Sequence, residues 1–217
     1  MLRKTIFEKG QIVSLALVVF DWDGTLMDST GAITRSIQAA ASDLGLLVPD
    51  RRQASWVIGL GLRDSLRHAV PDLPEHAVAA FVECAFDGVI EMLDRLHSKG
   101  ARLAIATGKS RMGLDRALQQ AGWRDYFLAT RTADQGQPKP HPWMLLDLMT
   151  ALGVEPSQTL MVGDTTHDLD MAAAAGTRAV AVSYGAHSAE DLARCHPEAI
   201  FTDTPSLAQW LDSQVAA

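Results

Sequence analysis

Cysteine is nearly absent: Cys84 and Cys195 are the two in 217 residues. They stand far apart and in no metal-ligand spacing. That excludes a disulfide framework and a cysteine-based zinc site, and it fits a reducing, cytoplasmic compartment. Positive charge is also scarce. Lys plus Arg number 19 against 26 Asp plus Glu, for a net charge of −7. Broad affinity for nucleic acid or an anionic membrane needs clustered positive charge, so neither partner is expected. A small anion needs only one local positive site and stays open. Long apolar runs are missing too. Leu15 to Phe20 is the longest near the N-terminus, and Asp21 stops it far short of a membrane span. Arg3, Lys4 and Lys9 precede that run, but no small-residue cleavage site follows. Residues 1–14 therefore read as an N-terminal extension and not as a leader.

What is present suits a globular chain. Hydrophobic residues make up 47% and charged residues 21%, enough to bury a core in one large domain or a core with a modest insertion. Four short apolar runs with little polar alternation read as buried parallel strands: Leu15 to Phe20, Leu103 to Ala106, Thr159 to Val162 and Ala179 to Val182. A weaker fifth lies near Tyr126 to Thr130. Helical spacing joins Val89, Met92, Leu93 and Leu96, then Leu114, Ala117, Leu118 and Ala121, then Leu145, Leu148, Met149 and Leu152. Gly100, Gly122, Gly153 and Gly176 follow helical patterns and precede strands, as helix-closing glycines do. Ser110 and Pro142 stand where helices should start. The repeated order predicts an α/β fold: a doubly wound, Rossmann-like parallel sheet. Residues 29–86 break the rhythm with helical stretches and no convincing strand, which predicts a mostly helical insertion after the first strand.

In an open α/β sheet, ligands bind beyond the carboxyl ends of the strands. The first strand ends in Asp21, Asp23, Gly24 and Thr25. The second ends in Thr107, Gly108, Lys109 and Ser110. A later loop carries Lys139-Pro140-His141-Pro142, and the Thr159 strand ends in Gly163, Asp164, Thr165 and Asp168. One rim would then hold four carboxylates, which repel unless a cation is present. Mg²⁺ takes hard oxygen ligands together with water and a substrate phosphate. A lysine and a threonine on neighbouring ends suit the other phosphate oxygens. The chemistry expected is Mg²⁺-assisted phosphoryl transfer with an Asp nucleophile available.

These residues resemble the four motifs of the haloacid dehalogenase superfamily: Asp21-Trp22-Asp23-Gly24-Thr25, Thr107, Lys139, and Gly163-Asp164-Thr165-Thr166-His167-Asp168. Within it the chain looks most like the phosphoglycolate phosphatase-like group. The resemblance implies a catalytic core of residues 15–28 and 87–217, with 29–86 as a short helical cap. It implies that Asp21 attacks phosphorus to form an aspartyl-phosphate. Asp23 would protonate the leaving oxygen and then take a proton from water. Thr107 and Lys139 would hold the phosphoryl oxygens, with Gly24 and Gly108 beside them. Asp21, the Asp23 backbone carbonyl and Asp164 would ligate Mg²⁺, with Asp168 supporting the metal or orienting Lys139. Superfamily ATPases carry Thr at the place of Asp23, and dehalogenases lack that Asp, so a carboxylate there implies hydrolysis of a small phosphorylated metabolite. The chain departs from the pattern with Asp87 at the usual Pro and Gly108 at the usual Asn. A phosphosugar mutase would share every motif, whereas a non-catalytic phosphate-binding module on this fold should have lost a catalytic group, yet Asp21, Asp23, Thr107, Lys139 and Asp164 are all present.

Other features read more plainly. Gly108-Lys109-Ser110 imitates the end of a P-loop, but Leu103 stands at the required Gly, so the signature fails. Gly59-Leu60-Gly61 is read as shaping a cap loop that faces the site with Arg63. His68, His76 and His97 are surface candidates. His141 suits packing or solvent exposure. His167 and His187 lie on loops after strands, where a substrate role is open. A monomer or homodimer is expected.

Overall fold

The computed structural model describes residues 14–43, 47–58 and 85–215. Six parallel strands form one sheet: β1 (Leu17–Phe20), β2 (Arg102–Thr107), β3 (Ala129–Thr132), β4 (Thr159–Gly163), β5 (Arg178–Val182) and β6 (Ile200–Phe201), in the order β3-β2-β1-β4-β5-β6. The helices among the described residues are α1 (Thr30–Asp43), α2 (Arg51–Trp56), α3 (Val89–Ser98), α4 (Arg111–Ala121), α5 (Trp143–Leu152), α6 (Thr166–Ala175), α7 (Ala189–Ala193) and α8 (Thr204–Gln214).

Side-chain alternation along each strand sorts the core into two layers. Val18 and Phe20 of β1 face one layer with Leu103, Ile105, Leu160 and Val162, covered by α3, α4 and α8. Leu17 and Val19 face the other with Ala104, Ala106 and Met161, covered by α5 and α6. Both faces are dry, which is why these strands read as continuous apolar runs rather than as alternation. Each fully buried Leu, Ile or Met stabilises the fold by about 1.5–3 kcal/mol relative to exposure. The helices start and stop where expected. Ser110 Oγ accepts the Gly113 N–H at the start of α4, and Gly122, Gly153 and Gly176 close α4, α5 and α6 in the left-handed conformation.

The strand order has β1 flanked by β2 and β4, so the chain turns outward in opposite directions from its centre. That switch point opens a crevice at the carboxyl ends. Register fixes the rest: Phe20 pairs with Ile105 on one side and Val162 on the other. The residues just beyond these three positions therefore meet.

Two expectations change. The weak fifth strand lies at Ala129–Thr132, because Arg124–Tyr126 form a 3-10 turn and Tyr126 packs beside the core instead of in the sheet. The two-residue edge strand β6 escaped the sequence reading because so short a run carries no periodicity. Between β1 and α3, α1 and α2 pack through Ile37, Ala41, Ala54 and Val57, and Asp50 caps α2 by accepting the Gln53 N–H. The chain returns at Ala85, which bridges to Met27 beside the exit from β1. The remainder of the proposed cap, including Gly59-Leu60-Gly61, Arg63, His68 and His76, lies outside the described residues, as does Cys84.

Candidate active site

Asp21 follows β1, and its N–H donates to the Val162 carbonyl of β4, 2.9 Å away. The turn after it is tight: Gly24 adopts φ +80°, and the Leu26 and Met27 N–H groups both return to the Trp22 carbonyl. A residue other than glycine would be strained at Gly24, and its Cβ would fall 2.1 Å from Asp164 Oδ2. Trp22 points away from the rim, fully buried and edge-on to Trp123.

Three carboxylates converge. Asp21, Asp164 and Asp168 are fully buried, and they offer oxygens that all lie within 4.8 Å of one another. Lys139, also buried, comes from the loop before α5. Its Nζ lies 2.8 Å from Asp21 Oδ1 and 2.6 Å from Asp168 Oδ1. Asp164 is held from two sides, by the Thr25 hydroxyl on Oδ1 at 3.0 Å and the Ala186 N–H on Oδ2 at 2.7 Å. Asp168 accepts the Thr165 hydroxyl and N–H through Oδ2, closing a capping box at the start of α6. Two glycines make room. A Cβ on Gly185 would fall 2.2 Å from Asp164 Oδ2, and one on Gly163 would fall 2.3 Å from Asp168 Cγ.

Three carboxylates face one ammonium. Burial pushes the Asp21 carboxyl up to about 7, with Lys139 opposing and Asp168 and Asp23 adding to the rise. Burial, then Asp21 and Asp168, raise Asp164 well above the usual carboxylate range. Lys139 is shifted upward on balance: its burial works against the charge, but the Asp168 and Asp21 carboxylates outweigh it. The lysine therefore stays charged. A site of this composition is two positive charges short if every carboxylate is ionised, and Asp21 Oδ2 has no hydrogen-bond partner among the described residues. Hard oxygen donors, an orphaned buried oxygen and a deficit of two charges fit a divalent cation such as Mg²⁺.

The side chain of Asp23 is engaged elsewhere. Its Oδ1 accepts the Ser29 hydroxyl at 2.6 Å and lies 3.1 Å from Lys109 Nζ. Thr107 is fully buried at the end of β2, where its hydroxyl accepts the Lys109 N–H at 3.2 Å. Gly108 lies between the two, half-buried.

The match to known proteins follows this arrangement. Residues 18–182 match the haloacid dehalogenase-like hydrolase family. The chain belongs to that family. A probable phosphatase, IndB, of Dickeya dadantii (strain 3937) is 37% identical over 202 residues, covering 85% of this chain and 88% of IndB. The tyrosine-protein kinase PtkA of Mycobacterium tuberculosis (strain ATCC 25618 / H37Rv) is 32% identical over 181 residues, 78% of this chain and 62% of the kinase. The crystal structure of a predicted phosphoglycolate phosphatase from Haemophilus somnus 129PT superposes with a TM-score of 0.79 at 25% identity, over 90% of this chain and 97% of that one. Within the haloacid dehalogenase-like hydrolases this chain is of the phosphoglycolate phosphatase-like kind, a phosphoric monoester hydrolase.

Against that family pattern, the structure brings together Asp21, Lys139, Asp164 and Asp168, and sets the Asp23 carboxylate beside them on its own partners. The sequence placed Lys109 at the rim, on the end of the second strand, but neither Lys109 nor Ser29 was given a role there. Sequence reasoning also missed Trp56. The Trp56 carbonyl lies 3.2 Å from both His167 Nε2 and His187 Nε2. The signal for Lys109 was its place two residues past Thr107. No sequence signal pointed to Trp56. His141 is exposed, and its Nδ1 accepts the Trp143 N–H at the start of α5. Among the described residues no helix is long and apolar enough to cross a membrane.

Proposed function

We propose that this chain is a Mg²⁺-dependent phosphatase that hydrolyses a small phosphomonoester through an aspartyl-phosphate on Asp21. The observation that carries the reading is the buried set of Asp21, Asp164 and Asp168 around Lys139, with a fourth carboxylate, Asp23, two residues on and held apart.

Bound at Asp21, Asp164 and the Asp23 carbonyl, the metal would supply positive charge against the phosphoryl oxygens and the nucleophile. The residues do the rest. An Asp21 oxygen forms a bond to phosphorus as the ester oxygen leaves with the P–O electron pair, and Asp23 gives that oxygen a proton. Lys139 and the Thr107 hydroxyl hold phosphoryl oxygens, and Asp168 fixes the Lys139 ammonium from its other side. Water then attacks the aspartyl-phosphate, Asp23 takes its proton, phosphate leaves, and Asp21 is a carboxylate again. The dry walls of the site strengthen each of these charge interactions. The described α1 and α2 supply the near edge of the proposed cap, residues 29–86.

The test is hydrolysis of a phosphate-ester panel (phosphoglycolate, sugar phosphates, nucleotides, pyrophosphate) with Mg²⁺ and with EDTA. Metal-dependent turnover of a monoester, with a phosphoenzyme that Asp21→Asn cannot form, supports the reading. No metal-dependent turnover on any ester refutes it and favours a binding module. A phosphosugar mutase would instead need a bisphosphate activator and would hold a phosphoenzyme stable to water.

A further inference from the structure

The motif Gly108-Lys109-Ser110 carries no role as a nucleotide loop, yet it delivers one side chain to the site. Lys109 Nζ lies 3.1 Å from Asp23 Oδ1, and the two side chains are 16% and 11% exposed. The Ser29 hydroxyl donates to the same oxygen at 2.6 Å. Both groups take Oδ1. The carboxylate is thus held through that oxygen. The lysine is itself fixed at its backbone. Its N–H donates to Thr107 Oγ1 at 3.2 Å, and its carbonyl accepts the Ala133 N–H at 3.1 Å. One short segment therefore links Thr107, which is proposed to hold phosphate, to Asp23, which is proposed to move the proton.

We propose that Lys109 is a positioning residue: with Ser29 it clamps Asp23 Oδ1, separates that carboxylate from the Asp21–Asp164–Asp168 set, and presents it to the leaving-group oxygen. This rests on the phosphatase reading above. An exposed ion pair would do little, because water screens it and the long side chain must be ordered. At this depth the lysine has lost most of its hydration, and the contact restricts both partners. Lys109 acts on proton delivery and touches no bond that breaks.

The test exploits the leaving group. An alkyl phosphate needs a proton on its departing oxygen, and p-nitrophenyl phosphate does not. kcat/KM covers the steps up to departure of the leaving group, so it isolates proton delivery from later hydrolysis of the phosphoenzyme. For Lys109→Met, the alkyl-to-aryl ratio of kcat/KM should fall about 10–100-fold, a part of the roughly 10²–10⁴-fold that a positioned acid contributes, because Asp23 itself remains. Lys109→Arg, which keeps the charge and reach, should restore most of the ratio. An equal loss on both esters would show a phosphate-binding or purely structural role and overturn the proposal. An unchanged ratio in a folded Lys109→Met would overturn it as well. The alkyl ester is one the unmodified protein turns over in the panel above; if it turns over none of them, the phosphatase reading itself fails, an outcome visible before any variant is made.

Discussion

Trp56 lies flat on His187, with ring centroids 4.3 Å apart and planes 9° from parallel. The two residues come from opposite halves of the chain. Trp56 ends α2, and His187 follows β5. The Thr166 N–H donates to His187 Nδ1 at 3.1 Å, which assigns the ring proton to Nε2. That proton then points at the Trp56 carbonyl, as does His167 Nε2, both at 3.2 Å. The His187 backbone N–H meets the Asp164 carbonyl. The end of α2 is therefore tied to the same loop that holds an acidic ligand candidate.

Removing the indole should loosen that attachment. Stacking contributes about 0.5–1.5 kcal/mol beyond area burial. Trp56→Ala is expected to raise hydrogen exchange in α1 and α2 while α5 and α6 stay protected. KM for a small ester should rise more than kcat falls, because the catalytic carboxylates keep their partners. Protection in α1 and α2 equal to that of the parent protein would count against this attachment.

Asp21→Asn should bring turnover to background, since an amide is a poor nucleophile and cannot return as a carboxylate. The fold should survive, because the substitution removes one of three mutually repelling buried acids. Steady-state rates with thermal unfolding as a control check both halves. Unchanged phosphatase rates would refute the nucleophile assignment.

The raised Asp21 carboxyl sets a pH dependence for metal binding. Its ordinary value is 3.8 and the fold pushes it up to about 7. A carboxyl raised by folding stabilises the metal-free protein below 3.8, and that contribution is lost as pH rises through about 7. A cation needs the ionised form, so metal affinity should climb with pH over the same window and level off above it. Calorimetry in buffers of different ionisation enthalpy should detect proton release at about pH 6 and little at about pH 8. Affinity and proton release that are flat across that range would sink the assignment.

Much of this was legible in the sequence, for a physical reason. Leu17–Phe20 and Thr159–Gly163 are apolar on both faces because both faces are covered, so they could be placed from composition alone. Asp21, Lys139, Asp164 and Asp168 could be assembled because strand ends share a rim whatever the side-chain detail. The Asp23–Lys109 pair depends on rotamers and on the Thr107 turn, which no spacing encodes. The Trp56 carbonyl is a backbone group, and its partners are 111 and 131 residues away. The Ala129–Thr132 strand was misplaced because it is only partly buried until Thr132 and lacks an apolar run.

Gly185 gives the sharpest separation of fold from site. Nothing about its backbone requires glycine, for it is not among the glycines with positive φ. What forbids a side chain is Asp164, whose Oδ2, Cβ and Cγ would lie 2.2, 2.4 and 2.5 Å from an added Cβ. Asp164 cannot easily yield, because Thr25 and the Ala186 N–H fix both its oxygens. Gly185→Ala should therefore displace the carboxylate and weaken metal binding by at least about tenfold, since even the loss of an outer partner of a ligand typically has that effect. Gly176→Ala is the contrast. An added Cβ there meets nothing within 4 Å, but φ is +73°, so the variant should lose about 1–2 kcal/mol of stability and keep its metal affinity. Thermal unfolding and metal titration of the two variants should give opposite patterns. If Gly185→Ala binds metal like the parent protein, Asp164 is not a ligand.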